Sequence, residues 1–175
     1  GVAHTTPSEP GRRLVTDIGG GSTELIIGEG LHTTKLESLH MGCVSMSGRY
    51  FDDGAITEKR IKRARLAARL ELEPVQAAFK SAGWNSAVGS SGTIRAVGDV
   101  LRGQGQADGS ITPDALDNLL EQCVRIGDMS RLKLPGLTDE RAPVFIGGLA
   151  ILAELFSVLQ INSMRVAEGA LREGL

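Results

Sequence analysis

The spacing of apolar and polar positions changes period twice along the chain. Residues 1–12 hold two prolines, two glycines and no apolar periodicity, which marks an irregular lead-in. From Arg13 the pattern is strand-like. Leu14–Ile18 is a β-rich run, Thr23–Ile27 a second, and Leu31–Leu39 a third with alternating character. Gly28-Glu29-Gly30 suits a hairpin turn between the second and third runs. After Thr57, a good N-cap, the period becomes helical. Ile61, Ala64, Ala68, Leu72, Val75 and Phe79 fall on one stripe, with Lys and Arg opposite, and Pro74 is expected to kink or split the helix. Trp84–Val88 reads as a short strand and Thr93–Leu101 as a helix opened by Gly-Ser-Ser-Gly. Thr112-Pro113 pairs an N-cap with proline at the first helical position, ahead of an apolar face of Leu116, Leu119, Leu120, Cys123 and Val124. Thr138-Asp139-Glu140 opens a further helix reaching about Gln160. Asn162–Ala167 reads as a last short strand, and Gly169–Leu175 begins another helix.

The predicted order is βββ-α-β-α-α-α-β-α. An antiparallel meander followed by alternating helices and strands is the layout of a ribonuclease-H-like lobe, a three-layer α/β fold with a mixed sheet. A length of 175 residues fits about one domain, large enough to bury a core without staples. The net charge is −2 with cations scattered along helices, and only six residues are aromatic, so neither duplex binding nor base stacking is expected. Cys43 and Cys123 lie 80 positions apart with no CxxC, which supports neither a disulfide framework nor a cysteine zinc site. The apolar stretch from Val144 to Ile161 is broken by Gly147, Gly148, Glu154 and Gln160 and reads as a buried helix, not a membrane span. No signal-peptide pattern opens the chain, and a soluble, cytoplasmic protein is expected. The chain starts without Met and reads as a piece of something longer.

Glycine changes this picture: 23 of 175 residues, clustered at Gly19-Gly20-Gly21, at Gly89 to Gly92 and at Gly147-Gly148. The first cluster lies within Asp17-Ile18-Gly19-Gly20-Gly21-Ser22-Thr23-Glu24, at a hairpin tip between two strands. Three glycines allow positive φ and can turn their amides toward one point, an anion nest to which Ser22 and Thr23 add hydroxyls. Asp17 leaves the first strand and Glu24 enters the second, so carboxylates flank the nest. They repel a phosphate unless a hard divalent cation intervenes, and Mg²⁺ is the usual one. The alternative is an ordinary glycine-rich hairpin with solvated acids.

The second cluster, Gly89-Ser90-Ser91-Gly92-Thr93, joins a strand to a helix N-terminus, a generic anion site at which simple capping competes. The third, Gly147-Gly148, stands in a helix interior where each glycine costs about 1 kcal/mol against alanine, so close helix packing is expected to compensate. His4, His32 and His40 lack metal-ligand spacing. Cys43 and Cys123 suit small buried hydrophobes. Arg49, Arg95 and Arg172 could bind phosphate, but solvated faces and salt bridges suit them better. Ser22 has no His/Asp partner arrangement, which excludes a serine hydrolase.

With these residues in view, the chain resembles the exopolyphosphatase and guanosine pentaphosphate phosphohydrolase (Ppx/GppA) family. The resemblance rests on DIGGGSTEL at Asp17–Leu25, HMGCV at His40–Val44, VGSSGTIRA at Val88–Ala96, the glycine-containing helix within Leu137–Leu152, and VAEGALREGL at Val166–Leu175, with Ala167 where serine is common. It extends from about residue 12 to the end. It implies the actin, sugar-kinase and Hsp70 superfamily, whose catalytic module pairs two ribonuclease-H-like lobes around a cleft. Residues 13–175 resemble the second lobe, and 1–12 a lead-in from a first lobe.

The implied activity is Mg²⁺-dependent removal of a terminal phosphate from inorganic polyphosphate, or of the 5′ γ-phosphate from pppGpp, by in-line attack of water. In the family pattern Asp17 helps hold the metal, and Glu24 lies in the same site and matters for activity. The backbone of Gly19, Gly20 and Gly21 with Ser22 and Thr23 binds phosphate oxygens, and Ser90, Ser91, Gly92 and Thr93 line the cleft floor. The family's first phosphate loop, D-x-G-S-x-S, and its general-base glutamate have no counterpart here. Phosphoryl transfer needs charge neutralisation from both sides, so this lobe alone is expected to bind phosphate weakly and hydrolyse it negligibly. Two other readings stand beside this one: a regulatory module that binds polyphosphate or guanosine polyphosphates without cleavage, and a nucleotide-binding interaction lobe. The expected partners are the phosphate substrate and the first lobe of the same protein, with no nucleic acid or membrane. An exposed cleft-facing apolar surface would also permit a homodimer.

Overall fold

Three consecutive strands build the front half of a sheet, and the chain then returns twice to extend it. In the computed structural model, which describes residues 11–167, β1 (Arg12–Ile18), β2 (Thr23–Glu29) and β3 (His32–Leu39) form an antiparallel meander. β4 (Ser86–Ser90) pairs parallel with β1, and the two-residue β5 (Arg165–Val166) pairs parallel with β4. The strand order is β3-β2-β1-β4-β5, a mixed five-stranded sheet. Strand alternation sorts the side chains. Leu14, Thr16 and Ile18 of β1 and Thr23, Leu25 and Ile27 of β2 are fully buried, whereas Val15, Asp17, Glu24 and Ile26 on the opposite face are half-buried.

Five α-helices follow among the described residues, α1 (Cys43–Tyr50), α2 (Glu58–Ala82), α3 (Gly92–Gly103), α4 (Pro113–Ile126) and α5 (Ala142–Leu159), with a short 3-10 helix at Met129–Arg131. α2 begins as its sequence dictates, with the Thr57 hydroxyl accepting from the Arg60 amide at 3.1 Å, and it buries the predicted stripe from Ile61 to Phe79. Pro74 does not split it; the residue sits on the exposed side and the helix continues to Ala82. α4 likewise starts at Thr112-Pro113 and stops at Gly127 in the left-handed conformation. α5 is the central helix. Its 18 residues have mean hydropathy 2.0, with 78% of them inside the fold, so its length and apolarity serve the core.

The glycine pair in α5 is a packing step, as its position implied. A Cβ on Gly147 would lie 2.3 Å from the Ser47 hydroxyl and 2.6 Å from the Ser47 amide nitrogen, and one on Gly148 would lie 2.4 Å from the Thr93 methyl. α1 and α3 therefore approach the backbone of α5 at adjacent residues.

The structure departs from the sequence reading at several points, among them β2, which runs through the expected turn residues Gly28 and Glu29. α1 was not predicted, because it is only eight residues long, contains Gly48 and opens at Gly42 with no side-chain capping bond. β4 starts at Ser86, not Trp84. Residues 138–141 form a turn, and α5 opens only at Ala142. The last strand is confined to Arg165–Val166. The helix expected over Gly169–Leu175 lies outside the described residues.

Candidate phosphate and metal site

The site is assembled where β1 ends, β2 begins and β4 runs into α3. Asp17 stands directly opposite Glu24 on β2 and beside Ser90 on β4, and Glu24 stands opposite Ser38 on β3. Four polar residues thus form a row across four strands on the half-open face. The seven-residue spacing of the two acids is what produces this: a short turn between antiparallel strands brings Asp17 and Glu24 to the same rung. Their Cβ atoms are then about 4.5–5.5 Å apart, and like charges at that position repel.

Burial pushes the Asp17 carboxyl above its ordinary range. Glu24 adds to that shift, while the Arg95 guanidinium and the Ser91 hydroxyl pull in the other direction. Glu24 accepts hydrogen bonds on Oε1 from Ser22 (3.2 Å) and Ser38 (3.1 Å).

The glycine turn joins the acids. The Gly19 amide donates to the Ser22 carbonyl at 2.8 Å, but the amides of Gly20, Gly21 and Ser22 have no partner among the described residues. Gly20 and Gly21 are exposed. None of the three glycines has positive φ, so conformational permissiveness is not why they are there. Nor do the Cβ positions of Gly20 and Gly21 demand glycine: a Cβ on Gly20 would make ordinary contact with the Val44 side chain at 3.4 Å, and one on Gly21 would meet nothing within 4 Å. The Gly19 carbonyl accepts from the Cys43 amide at 2.8 Å, and the Gly20 carbonyl accepts from Val44 (2.9 Å) and Ser45 (3.1 Å), so the N-terminus of α1 grips the outside of the turn. A Cβ on Gly42 would lie 2.3 Å from the Gly20 carbonyl carbon. The Gly19 and Gly20 carbonyls face α1, and the amides of Gly20, Gly21 and Ser22 remain without a partner among the described residues.

A second set of donors comes from α3. The amides of Gly92 and Thr93 open this helix without partners among the described residues, at the positive end of its dipole. Two guanidiniums flank them. Arg95 lies one turn on, and Arg141 rests against Gly92 so closely that a Cβ there would lie 2.0 Å from the Arg141 Nη2. Gly92, Arg95, Ala96, Asp99, Thr138 and Arg141 line a cavity of about 290 Å³. Arg141 was not singled out from the sequence. It lies 49 residues from Gly92, and no local spacing announces the meeting.

Two expected hydroxyls point elsewhere. Thr23 is fully buried, and its hydroxyl donates to the Met41 carbonyl at 2.7 Å, because strand alternation sends it to the opposite face from Glu24. The Thr93 side chain packs on Gly148. Ser90 is fully buried beside Asp17, with no partner for its hydroxyl among the described residues. Ser91 does not cap α3 with its side chain. His32 and His40 are exposed. Cys43 and Cys123 are free and buried, and burial pushes the Cys123 thiol up to about 12.

Residues 1–175 match the sequence model of the Ppx/GppA phosphatase family from end to end. The chain belongs to that family. A Haemophilus influenzae protein named "Putative exopolyphosphatase" is 45% identical over all 175 residues, which span 54% of its length. The Aquifex aeolicus PPX-GPPA enzyme superposes with a TM-score of 0.83 at 23% identity, covering 99% of this chain and 58% of that one. An exopolyphosphatase from Cytophaga hutchinsonii superposes with a TM-score of 0.79 at 21% identity, covering 99% and 58%. The fold is the α/β, ribonuclease-H-like lobe expected from the sequence. The chain spans little more than half the length of these relatives.

Proposed function

We propose that this chain is the second lobe of a hydrolase that removes terminal phosphates from inorganic polyphosphate or from pppGpp. The supporting observation is the conjunction at one hairpin of two facing carboxylates with free backbone amides on either side of Asp17. Amides of Gly20, Gly21 and Ser22 from the turn, and of Gly92 and Thr93 from α3, offer donors to phosphate oxygens. Arg95 and Arg141 supply positive charge at the α3 side.

The donor set fits Mg²⁺. Asp17 and Glu24 are hard oxygen ligands whose mutual repulsion a divalent ion relieves, and no group of three or more metal-ligating side chains occurs among the described residues. Such an ion would draw its remaining ligands from water and substrate, and it would neutralise charge on the transferring phosphate. The residues of this chain fix the phosphate oxygens and hold the acid pair. The water-activating base and the opposing clamp belong to the first lobe. Negligible turnover by these 175 residues alone follows from that division.

The test is phosphate release by the full-length protein with polyphosphate and with pppGpp, each with and without Mg²⁺. Asp17→Asn and Glu24→Gln should each abolish most turnover. Wild-type rates in both variants would remove the acid pair from the mechanism. Tight binding of polyphosphate without release by the wild-type protein would replace hydrolysis with sensing.

A further inference from the structure

Ser91 occupies a backbone conformation that glycine adopts freely and other residues do not. Its φ of 95° and ψ of 165° lie in the region that is essentially glycine-only. Gly92 follows it directly and Gly89 lies two positions before it, so glycine is already in use on both sides. Serine at such a position is explained only by something its side chain does. Capping of α3 is not that role, because the hydroxyl makes no capping bond to the helix. It reaches instead across the β1–β4 ladder, where it accepts a hydrogen bond from the Ile18 amide at 3.2 Å and stands beside the Asp17 carboxyl. Ile18 is the last residue of β1, one position from Asp17 on one side and Gly19 on the other.

We infer that Ser91 is a positioning residue. It ties the strained β4–α3 turn to the end of β1 and so fixes the Asp17 carboxylate against Glu24 and against the glycine turn. This inference rests on the proposed role of the Asp17–Glu24 pair, and it replaces the sequence expectation that Ser91 itself lines a phosphate site. Strain held in the turn is offset by the hydroxyl's two neighbours on β1. Glycine at 91 would relieve the strain and release the carboxylate. Alanine would keep the strain and still release it.

The two substitutions separate positioning from stability. In the full-length protein, Ser91→Gly should melt at or above the wild-type temperature, and Ser91→Ala should melt below Ser91→Gly by about 2–8 °C. Phosphate release from polyphosphate should nevertheless fall roughly tenfold in kcat for both, with KM within about twofold, since the lost contact orients Asp17 and is not a contact to substrate. The increase in melting temperature on adding Mg²⁺ without substrate should shrink in both variants. Asp17→Asn is the reference. If it abolishes turnover while Ser91→Gly retains wild-type kcat and the wild-type Mg²⁺ shift, the positioning role is overturned. The same holds if the loss of activity across the two Ser91 variants follows their loss of melting temperature. If Asp17→Asn itself keeps wild-type turnover, the underlying reading of the acid pair fails first, and the role of Ser91 falls with it.

Discussion

Replacing Asp17 by Asn should make the 175-residue chain more stable while removing its proposed chemistry. Asp17 and Glu24 share one rung of the sheet, and burial raises the Asp17 carboxyl above its ordinary value of 3.8. At about 5 Å and an effective dielectric of about 20, Coulomb's law gives repulsion of about 3 kcal/mol. Solvent and salt at a half-exposed site reduce that to roughly 1 kcal/mol, in line with measured like-charge cross-strand pairs. Asparagine keeps the shape and an acceptor oxygen but not the charge. The variant should therefore melt about 2–4 °C above wild type at pH 7 in the absence of divalent ions.

The pH dependence has a definite sign. A carboxyl whose folded pKa is raised destabilises the fold when ionised, and that penalty disappears as protonation proceeds below the folded pKa. The gap between variant and wild type should be full at pH 7 and close toward pH 4. Adding Mg²⁺ should stabilise wild type, narrow the gap at pH 7 and leave the variant unchanged. Scanning calorimetry over this pH range is the assay. A variant that melts below wild type at pH 7, or a gap that widens on acidification, would refute the repulsion argument.

Three further outcomes follow from the packing. Gly42→Ala must displace the Gly20 backbone that it would approach within 2.3 Å, and it should cost about 3 kcal/mol in denaturant unfolding while weakening phosphate binding at the turn. Glu154 is buried at the centre of α5 and accepts from Arg65 Nε (3.0 Å) and Arg69 Nε (2.8 Å); Glu154→Gln should cost about 1–3 kcal/mol by chemical denaturation, less than for a fully buried pair because both arginines reach solvent. Thr16→Val removes a fully buried hydroxyl that lacks a partner and should raise stability by about 1 kcal/mol in the same experiment.

The parts of the fold legible in the sequence are those governed by local rules. The meander, the Thr57 and Thr112 caps, the stripe of α2 and the buried character of α5 all follow from period and capping. The register of Asp17 on Glu24 was implicit in their spacing. What local rules do not carry is contact. α1 owes its N-terminal hydrogen bonds to carbonyls more than twenty residues earlier, so its short, serine-rich sequence does not declare it. The same contact explains Gly42, whose Cβ would strike the Gly20 backbone, whereas the glycines of the turn, which the sequence suggested were chosen for positive φ, adopt none of it. Thr23 read as a phosphate ligand until strand alternation placed its hydroxyl on Met41. Arg141 came to Gly92 only through the packing of α5 beside α3.

The grip of α1 on the glycine turn also sets where this lobe is vulnerable. In many anion sites a helix aims its own amide end at the ligand; here α1 spends that end on the protein, holding the turn from behind, and is itself seated on α5 at Gly147. The free amides of the turn are thus linked to the deepest helix through the backbone grip of α1 and one buried hydrogen bond, from the Gly147 amide to the Ser47 hydroxyl at 3.2 Å. Repacking of α5 far from the acids should register as altered phosphate affinity before it registers as unfolding, and a screen for weak phosphate binders should recover substitutions in the core as readily as substitutions at the surface.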